Sequence, residues 1–239
     1  MDTLEHISIH LQEKHIMTDN RKKALIVGAS FIGDEKRIIK DIIDSTSRDD
    51  ILILAADGGI EIFMQLNVEP DEWLGDMDSV EDSKIEIVKQ HFPDIKINQC
   101  SPIKDDTDMA IAVNNSILNG CNEIHIFGGL GGKRIEHSLA NIQLVHHCKT
   151  NGINLIMYSE SSILYALMNE KKIYDEDHKG FLSCFALNDS CEVDISGLFY
   201  EYKGELKNSY ALGVSNEFIG KKSYINVEKG VVLIIETRK

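Results

Sequence analysis

Two kinds of hydrophobic pattern divide the chain. Through about residue 160, short unbroken apolar runs alternate with amphipathic stretches; beyond it, short alternating runs follow one another with little between them. Ala24-Leu25-Ile26-Val27 and Ile51-Leu52-Ile53-Leu54-Ala55-Ala56 carry no polar interruption, the pattern of strands buried on both faces. Each ends in small or turn-forming residues, Gly28-Ala29-Ser30 after the first and Asp57-Gly58-Gly59 after the second. Between them Ile38, Ile39, Ile42 and Ile43 recur at helical spacing. The same reading predicts helices over Ile60 to Leu66, Ser83 to His91, Met109 onward and Ser138 to His147. It predicts strands at Ile95-Lys96-Ile97, at Glu123 to Phe127 and at Asn154 to Tyr158, the last strand expected in this sheet. Strands and helices alternating in units this short imply a mostly parallel sheet covered on both faces, with ligands gathering beyond the carboxyl ends of the strands.

From about residue 162 no long helix fits. Ile163 to Leu167, Phe181 to Leu187, Cys191 to Ile195, Tyr224 to Val227 and Val231 to Ile235 read as strands separated by Gly, Asn and Asp, the pattern of a small β-sandwich. Charge-rich Asn169-Glu170-Lys171-Lys172 and Asp175-Glu176-Asp177 suit a linker or hairpin turns. The expected fold class is therefore α/β. A Rossmann-like, mostly parallel-sheet domain over 21–160 precedes an all-β sandwich over 161–239, with a polar extension at 1–20. His6, His10 and His15 in that extension read as a solvated face, because no cysteine or carboxylate completes a metal-ligand set.

Composition narrows the partners. The formal net charge of −14 over 239 residues argues against a broad nucleic-acid or anionic-membrane surface, yet leaves room for a nucleotide held with a metal in a local cleft. Five cysteines are odd in number, scattered and without Cys-x-x-Cys spacing, so buried thiols in a reducing compartment are the simplest account. No apolar run approaches a membrane span, and the cytoplasm is the expected location.

The candidate chemistry is acidic and glycine-rich. In Gly75-Asp76-Met77-Asp78-Ser79 two carboxylates one residue apart point the same way in extended backbone, and a divalent cation relieves their repulsion. Asp-x-Asp alone supports nothing stronger than a solvated acidic turn. Lys104-Asp105-Asp106-Thr107-Asp108 precedes a helix start, where Thr and acids serve as caps; three carboxylates in four residues exceed what capping needs. Gly128-Gly129-Leu130-Gly131-Gly132-Lys133-Arg134 is a glycine-rich loop at a strand end, but its spacing and the lack of Ser or Thr after the Lys exclude a Walker A loop. Trp73 and Phe218 read as core packing.

Taken in order, Ala56-Asp57-Gly58-Gly59, Gly75-Asp76-Met77-Asp78-Ser79, Lys104-Asp105-Asp106-Thr107-Asp108, Gly132-Lys133-Arg134-Ile135-Glu136-His137-Ser138-Leu139-Ala140-Asn141 and Gly213-Val214-Ser215-Asn216 resemble the thiamine pyrophosphokinase family. The resemblance implies transfer of a diphosphate from ATP to thiamine, with Mg²⁺ held by Asp76, Asp78 and Asp108 and with Asp105 as ligand or neighbour. It implies that Arg134, and Lys104 or Lys133, neutralise the transferring group, and that Asp57, Gly58, Gly59, Glu136 and His137 border the ATP. Ser215 and Asn216 would meet thiamine across a homodimer with shared active sites. The family usually has Asp where this chain has Glu136, one methylene longer. A non-catalytic nucleotide or thiamine sensor and an Asp-x-Asp nucleotide-sugar transferase are the alternatives; the second leaves the Lys104–Asp108 and Ser215-Asn216 segments unexplained.

Overall fold

A computed structural model describes residues 23–30, 33, 35–75, 82–99 and 106–238. The strands are β1 (Lys23–Val27), β2 (Ile51–Ala56), β3 (Glu72–Gly75), β4 (Lys96–Gln99), β5 (Glu123–Phe127), β6 (Asn154–Tyr158), β7 (Ser162–Met168), β8 (Lys171–Tyr174), β9 (Phe181–Ala186), β10 (Ser190–Ser196), β11 (Tyr202–Lys207), β12 (Gly213–Glu217), β13 (Ser223–Lys229) and β14 (Val231–Thr237). The helices are α1 (Glu35–Ser45), α2 (Ile60–Leu66), α3 (Asp82–His91), α4 (Asp108–Leu118) and α5 (Ile135–Thr150).

Six strands pair in parallel in the order β6-β5-β1-β2-β3-β4. From β1 the chain marches outward through β2, β3 and β4, then returns to place β5 on the other side of β1. That reversal opens a crevice between β1 and β5 at their carboxyl ends. The unbroken apolar runs split by parity, as buried parallel strands require. Ala24, Ile26, Leu52 and Leu54 face a core with Ala112 and Val113 of α4 and Val145 of α5. Leu25, Val27, Ile51 and Ile53 face the opposite core with Ile39 of α1, Phe63 of α2 and Val88 of α3.

β6 is not the last strand of this sheet. A tight turn, in which Ser159 N–H donates to Ser162 O at 2.9 Å, reverses the chain so that β7 pairs antiparallel with β6 at Met157↔Leu164 and Tyr158↔Ile163. The sheet then continues through β14, β9 and β12 to ten strands. A four-stranded antiparallel sheet, β11-β10-β13-β8, faces that extension, and Leu182, Cys184, Val193, Ile195, Ile225 and Val232 fill the space between. β14 serves both cores: Val231 and Leu233 join the core beneath α5, while Val232 and Ile234 join the sandwich. The stretch expected as a linker or hairpin turns contains β8, entered through a turn at Asn169 in the left-handed region (φ 53°). Trp73 and Phe218 are buried, as expected.

Among the described residues no helix is long and apolar enough to cross a membrane. Cys121, Cys148, Cys184 and Cys191 are buried thiols, and burial pushes the Cys148 and Cys184 thiols up to about 12.

Candidate active site

Three backbone turns meet at the carboxyl ends of β1, β2 and β5, and glycine is what lets them meet. Gly28 N–H donates to Phe127 O at 2.8 Å and Ser30 N–H to Gly128 O at 3.2 Å, so the turns after β1 and β5 are bonded to each other. A Cβ on Gly128, whose φ is +66°, would lie 2.5 Å from Gly28 O, and one on Gly59 would lie 1.9 Å from Val27 O. Backbone oxygens at those distances leave no room for any side chain. Gly58 lies against Ala29, and Met109 in the first turn of α4 reaches Gly28. The helix start carrying Asp108 is thereby brought to the same crevice.

Asp57 occupies a strained position. It leads a single 3₁₀ turn over Asp57–Gly59 with φ 50°, a left-handed conformation that costs a non-glycine residue about 1 kcal/mol or more. Its carbonyl accepts the indole N–H of buried Trp73 at 2.8 Å, which ties the turn to β3. β3 itself ends at Gly75, the residue before Asp76 in sequence.

The glycine loop after β5 is held from α5. Asn141, buried in the second turn of that helix, donates from Nδ2 to Gly129 O at 2.7 Å, and Ser138 Oγ accepts from Gly131 N–H at 3.0 Å. Gly131 and Gly132 both have φ of +79°. Beyond them Arg134 is 68% exposed and donates from Nε to Glu136 at 2.7 Å. That bond, the largest influence on Glu136, holds its carboxyl below the usual carboxylate range. A phosphate arriving at Arg134 has to compete with Glu136 for the guanidinium. Thr107 caps α4, its Oγ1 accepting from Ala110 N–H at 3.1 Å, so capping accounts for the threonine of the acidic segment.

Behind the crevice lies a polar chain on one face of β5. His125, 7% exposed, sits between Glu123 (Nε2 to Oε1, 2.9 Å) and the Tyr158 hydroxyl (Nδ1, 3.0 Å). Burial is the main influence that pushes the His125 imidazole below its ordinary value, so the neutral tautomer donates from Nε2–H and accepts the Tyr158 proton. Burial also pushes the Tyr158 phenol up to about 12.

Residues 43–157 match the family described as thiamin pyrophosphokinase, catalytic domain. Over nearly half its length the chain is thus similar to the thiamin pyrophosphokinase catalytic domain. No curated protein sequence matches the chain. Among solved structures, thiamine pyrophosphokinase from Bacillus subtilis is 22% identical, with a TM-score of 0.77 over 91% of this chain and 100% of that one. The Geobacillus thermodenitrificans thiamin pyrophosphokinase is 20% identical, with a TM-score of 0.75 over 91% and 98%. The yeast enzyme is 13% identical, with a TM-score of 0.73 over 93% and 88%. At these identities the structures establish a shared fold.

Of the residues expected to act in a thiamin pyrophosphokinase, Asp57, Gly58, Gly59, Asp108, Arg134, Glu136 and His137 lie on the turns and helix starts around this crevice. Asp76, Asp78, Lys104 and Asp105 lie outside the described residues. Ser215 and Asn216 do not join the others: they lie on β12, the edge strand six places from β1 in the ten-stranded sheet. At about 4.8 Å per strand that is roughly 30 Å. Ser215 is exposed with φ 57°, and the Asn216 side chain is engaged locally, donating to Tyr200 O at 2.7 Å and accepting from Tyr200 N–H at 2.9 Å. Ser138, Asn141, Ser30 and Tyr158 were not singled out from sequence. Ser138 and Asn141 stand within the family-like segment, and their spacing from the glycines on a helix start was the available signal. Tyr158 gave none.

Among the described residues no group of three His, Cys, Asp or Glu is placed to hold a metal ion. Asp108 is the one described member of the expected ligand set, and the donor chemistry of that set, all carboxylate oxygen, suits a hard divalent cation.

Proposed function

We propose that the chain transfers the diphosphate of ATP to the hydroxyl of thiamine. The observation that carries this reading is the glycine-lined crevice at the β1/β5 reversal, where the turns after β2 and β5, inside the matched residues 43–157, meet the turn after β1 and are bordered by Asp57, Asp108 and Arg134. In the reaction the thiamine oxygen attacks the β-phosphorus and the bond bridging the α- and β-phosphates breaks. AMP leaves, and the hydroxyl proton passes to a nearby acid or to water. Such transfer needs positioning and charge neutralisation more than a protein nucleophile. The glycines admit the nucleotide to backbone contact, and Arg134, released from Glu136, meets the transferring group. Asp76, Asp78 and Asp108 would hold Mg²⁺, which when bound supplies positive charge to the phosphates.

The reading includes a homodimer. A small ligand cannot touch both β12 and the β1/β5 crevice of one chain across roughly 30 Å, so the thiamine residues serve a neighbour's crevice. Phe199, Tyr200, Leu212 and Val214, large side chains left exposed beside Ser215 and Asn216, suit burial by a second copy.

AMP release from ATP and Mg²⁺ tests both parts. Wild type is expected to form AMP only when thiamine is present, and Asp78→Asn to lose at least a hundredfold in rate, the scale of one electrostatic group in a transition state. An inactive Asp78→Asn protein mixed with an inactive Ser215→Trp protein is expected to regain activity through mixed dimers. Thiamine binding without AMP release would sink the enzyme reading, and a mixture that stays inactive would sink the shared site.

A further inference from the structure

A cavity of about 400 Å³ opens beside the glycine loop, between the carboxyl ends of β5 and β6 and the start of α1. Its lining differs in kind from the rest of the crevice. Glu35 and Glu160 bring two carboxylates, Leu130 and Tyr158 an apolar wall, and Gly131 and Gly132 open backbone. Glu35 is only 4% exposed, and its Oε2 accepts from Gly33 N–H at 2.7 Å. A carboxylate has sites for about four hydrogen bonds, so Glu35 retains capacity for donors supplied from the cavity.

We propose that this cavity takes the nucleoside end of the nucleotide, with Glu35 accepting hydrogen bonds from the ribose hydroxyls. The proposal rests on the ATP-dependent reading above and assigns a part of that site. Charge decides the direction in which ATP lies. Two carboxylates repel phosphate, whereas Lys133 and Arg134 follow directly on the same loop, outside the cavity. The neutral sugar and base therefore enter the cavity and the phosphates run toward Arg134. The volume falls within the range of small-molecule sites, and a nucleoside matches its mix of flat apolar wall and hydrogen-bond acceptors. The wall is also fixed beforehand. The Tyr158 ring stacks on Phe127 at 4.4 Å with 4° between planes, and its hydroxyl is tied to His125. A wall that cannot turn loses little freedom when a ligand arrives.

The test is equilibrium binding of ATP, 2′-deoxy-ATP and 3′-deoxy-ATP to wild type, Glu35→Gln and Glu160→Gln, with inorganic triphosphate as a probe of the phosphate region alone. Wild type is expected to bind at least one deoxynucleotide about tenfold more weakly than ATP, the worth of a hydrogen bond to a charged acceptor. In Glu35→Gln, which keeps shape and size, that ratio is expected to fall to within about threefold, while triphosphate binding stays unchanged. Glu160→Gln, at the exposed rim, controls for a general change in charge. Equal binding of all three nucleotides by wild type would overturn the proposal. So would a ribose preference that survives in Glu35→Gln, or a loss of thiamine binding there with nucleotide binding intact. AMP release distinguishes the two readings. Ribose discrimination without thiamine-dependent AMP sinks the enzyme reading and leaves the cavity assignment standing; AMP formation with no ribose discrimination does the reverse.

Discussion

The two ends of the parallel strands are built on opposite principles. At the amino ends of β2 and β3, polar side chains clamp the backbone. Asp71 accepts Ile53 N–H at 2.7 Å and takes both Arg48 Nη2 at 2.6 Å and Nη1 at 3.2 Å, while Asn115 of α4 donates to Glu72 at 2.5 Å. At the carboxyl ends side chains hold the turns only from outside, Asn141 and Ser138 on the glycine loop and Trp73 on Asp57 O, and the turns meet one another without them. Backbone meets backbone through Gly28, Gly59 and Gly128, and Asp57 is held with positive φ. Each end has a cavity, about 480 Å³ at the amino end and about 400 Å³ at the carboxyl end. Size therefore does not tell the functional end from the other. The difference lies in how the polar groups are used, consumed by one another at one end and arranged around open backbone at the other.

Gly59→Ala tests the comparison most severely. Its Cβ would sit 1.9 Å from Val27 O, a backbone atom that cannot move without dragging β1. A stability loss of about 3 kcal/mol or more is expected by urea denaturation, with nucleotide binding lost alongside. A variant of normal stability would show that the turns are not packed as described. Asp71→Ala comes next. Removing the acceptor of Ile53 N–H and the partner of Arg48 is expected to cost about 1–3 kcal/mol and to leave AMP formation within twofold. A large loss of turnover at unchanged stability would erase the distinction between the two ends.

The smallest effect concerns His125. Its folded-state pKa lies below the unfolded value of 6.5 because burial disfavours the cation. As pH falls through 6.5 the unfolded chain takes up a proton that the folded chain does not, so this stability is complete above 6.5 and is lost below it. The slope for one such group is at most about 1.4 kcal/mol per pH unit. Urea denaturation at pH 7.5 and 5.5 is expected to show wild type losing more stability than His125→Gln. Equal losses would mean that His125 is already charged when folded.

The sequence made the interior of the sheet legible and its margins obscure. β1, β2 and β5 bury most of their residues on both faces; an unbroken apolar run marks β1 and β2, while β5 interrupts its run with His125. β8, β11 and β12 are edge strands with one or no buried residue apiece, and lysines or glutamates occupy positions that would otherwise alternate. Period-two reading has nothing to grip there. The continuity of β6 into β7 was hidden for another reason: a hairpin that extends one sheet and a linker that starts a second domain look alike in composition. The site divided in the same way. Glycine and carboxylate motifs announced the crevice. Glu35, Tyr158 and Glu160 reach one cavity from separate elements and share no local pattern; only the topology assembles them.

β14 is the final strand in chain order, yet it lies between β7 and β9 with α5 over one face and the second sheet under the other. During synthesis each of β1 to β6 has a partner that precedes it or follows closely, and β5 closes onto a β1 already made. β7 and β9 differ: the strand that separates them is made last. Until it arrives both carry an unpaired edge, and Leu164, Ala166, Leu182 and Cys184 lack a neighbour they cover when folded. A ribosome that stalls or a stop codon that falls before Val231 thus releases a chain with two open strand edges on an otherwise assembled sheet, the kind of species that associates with its own copies.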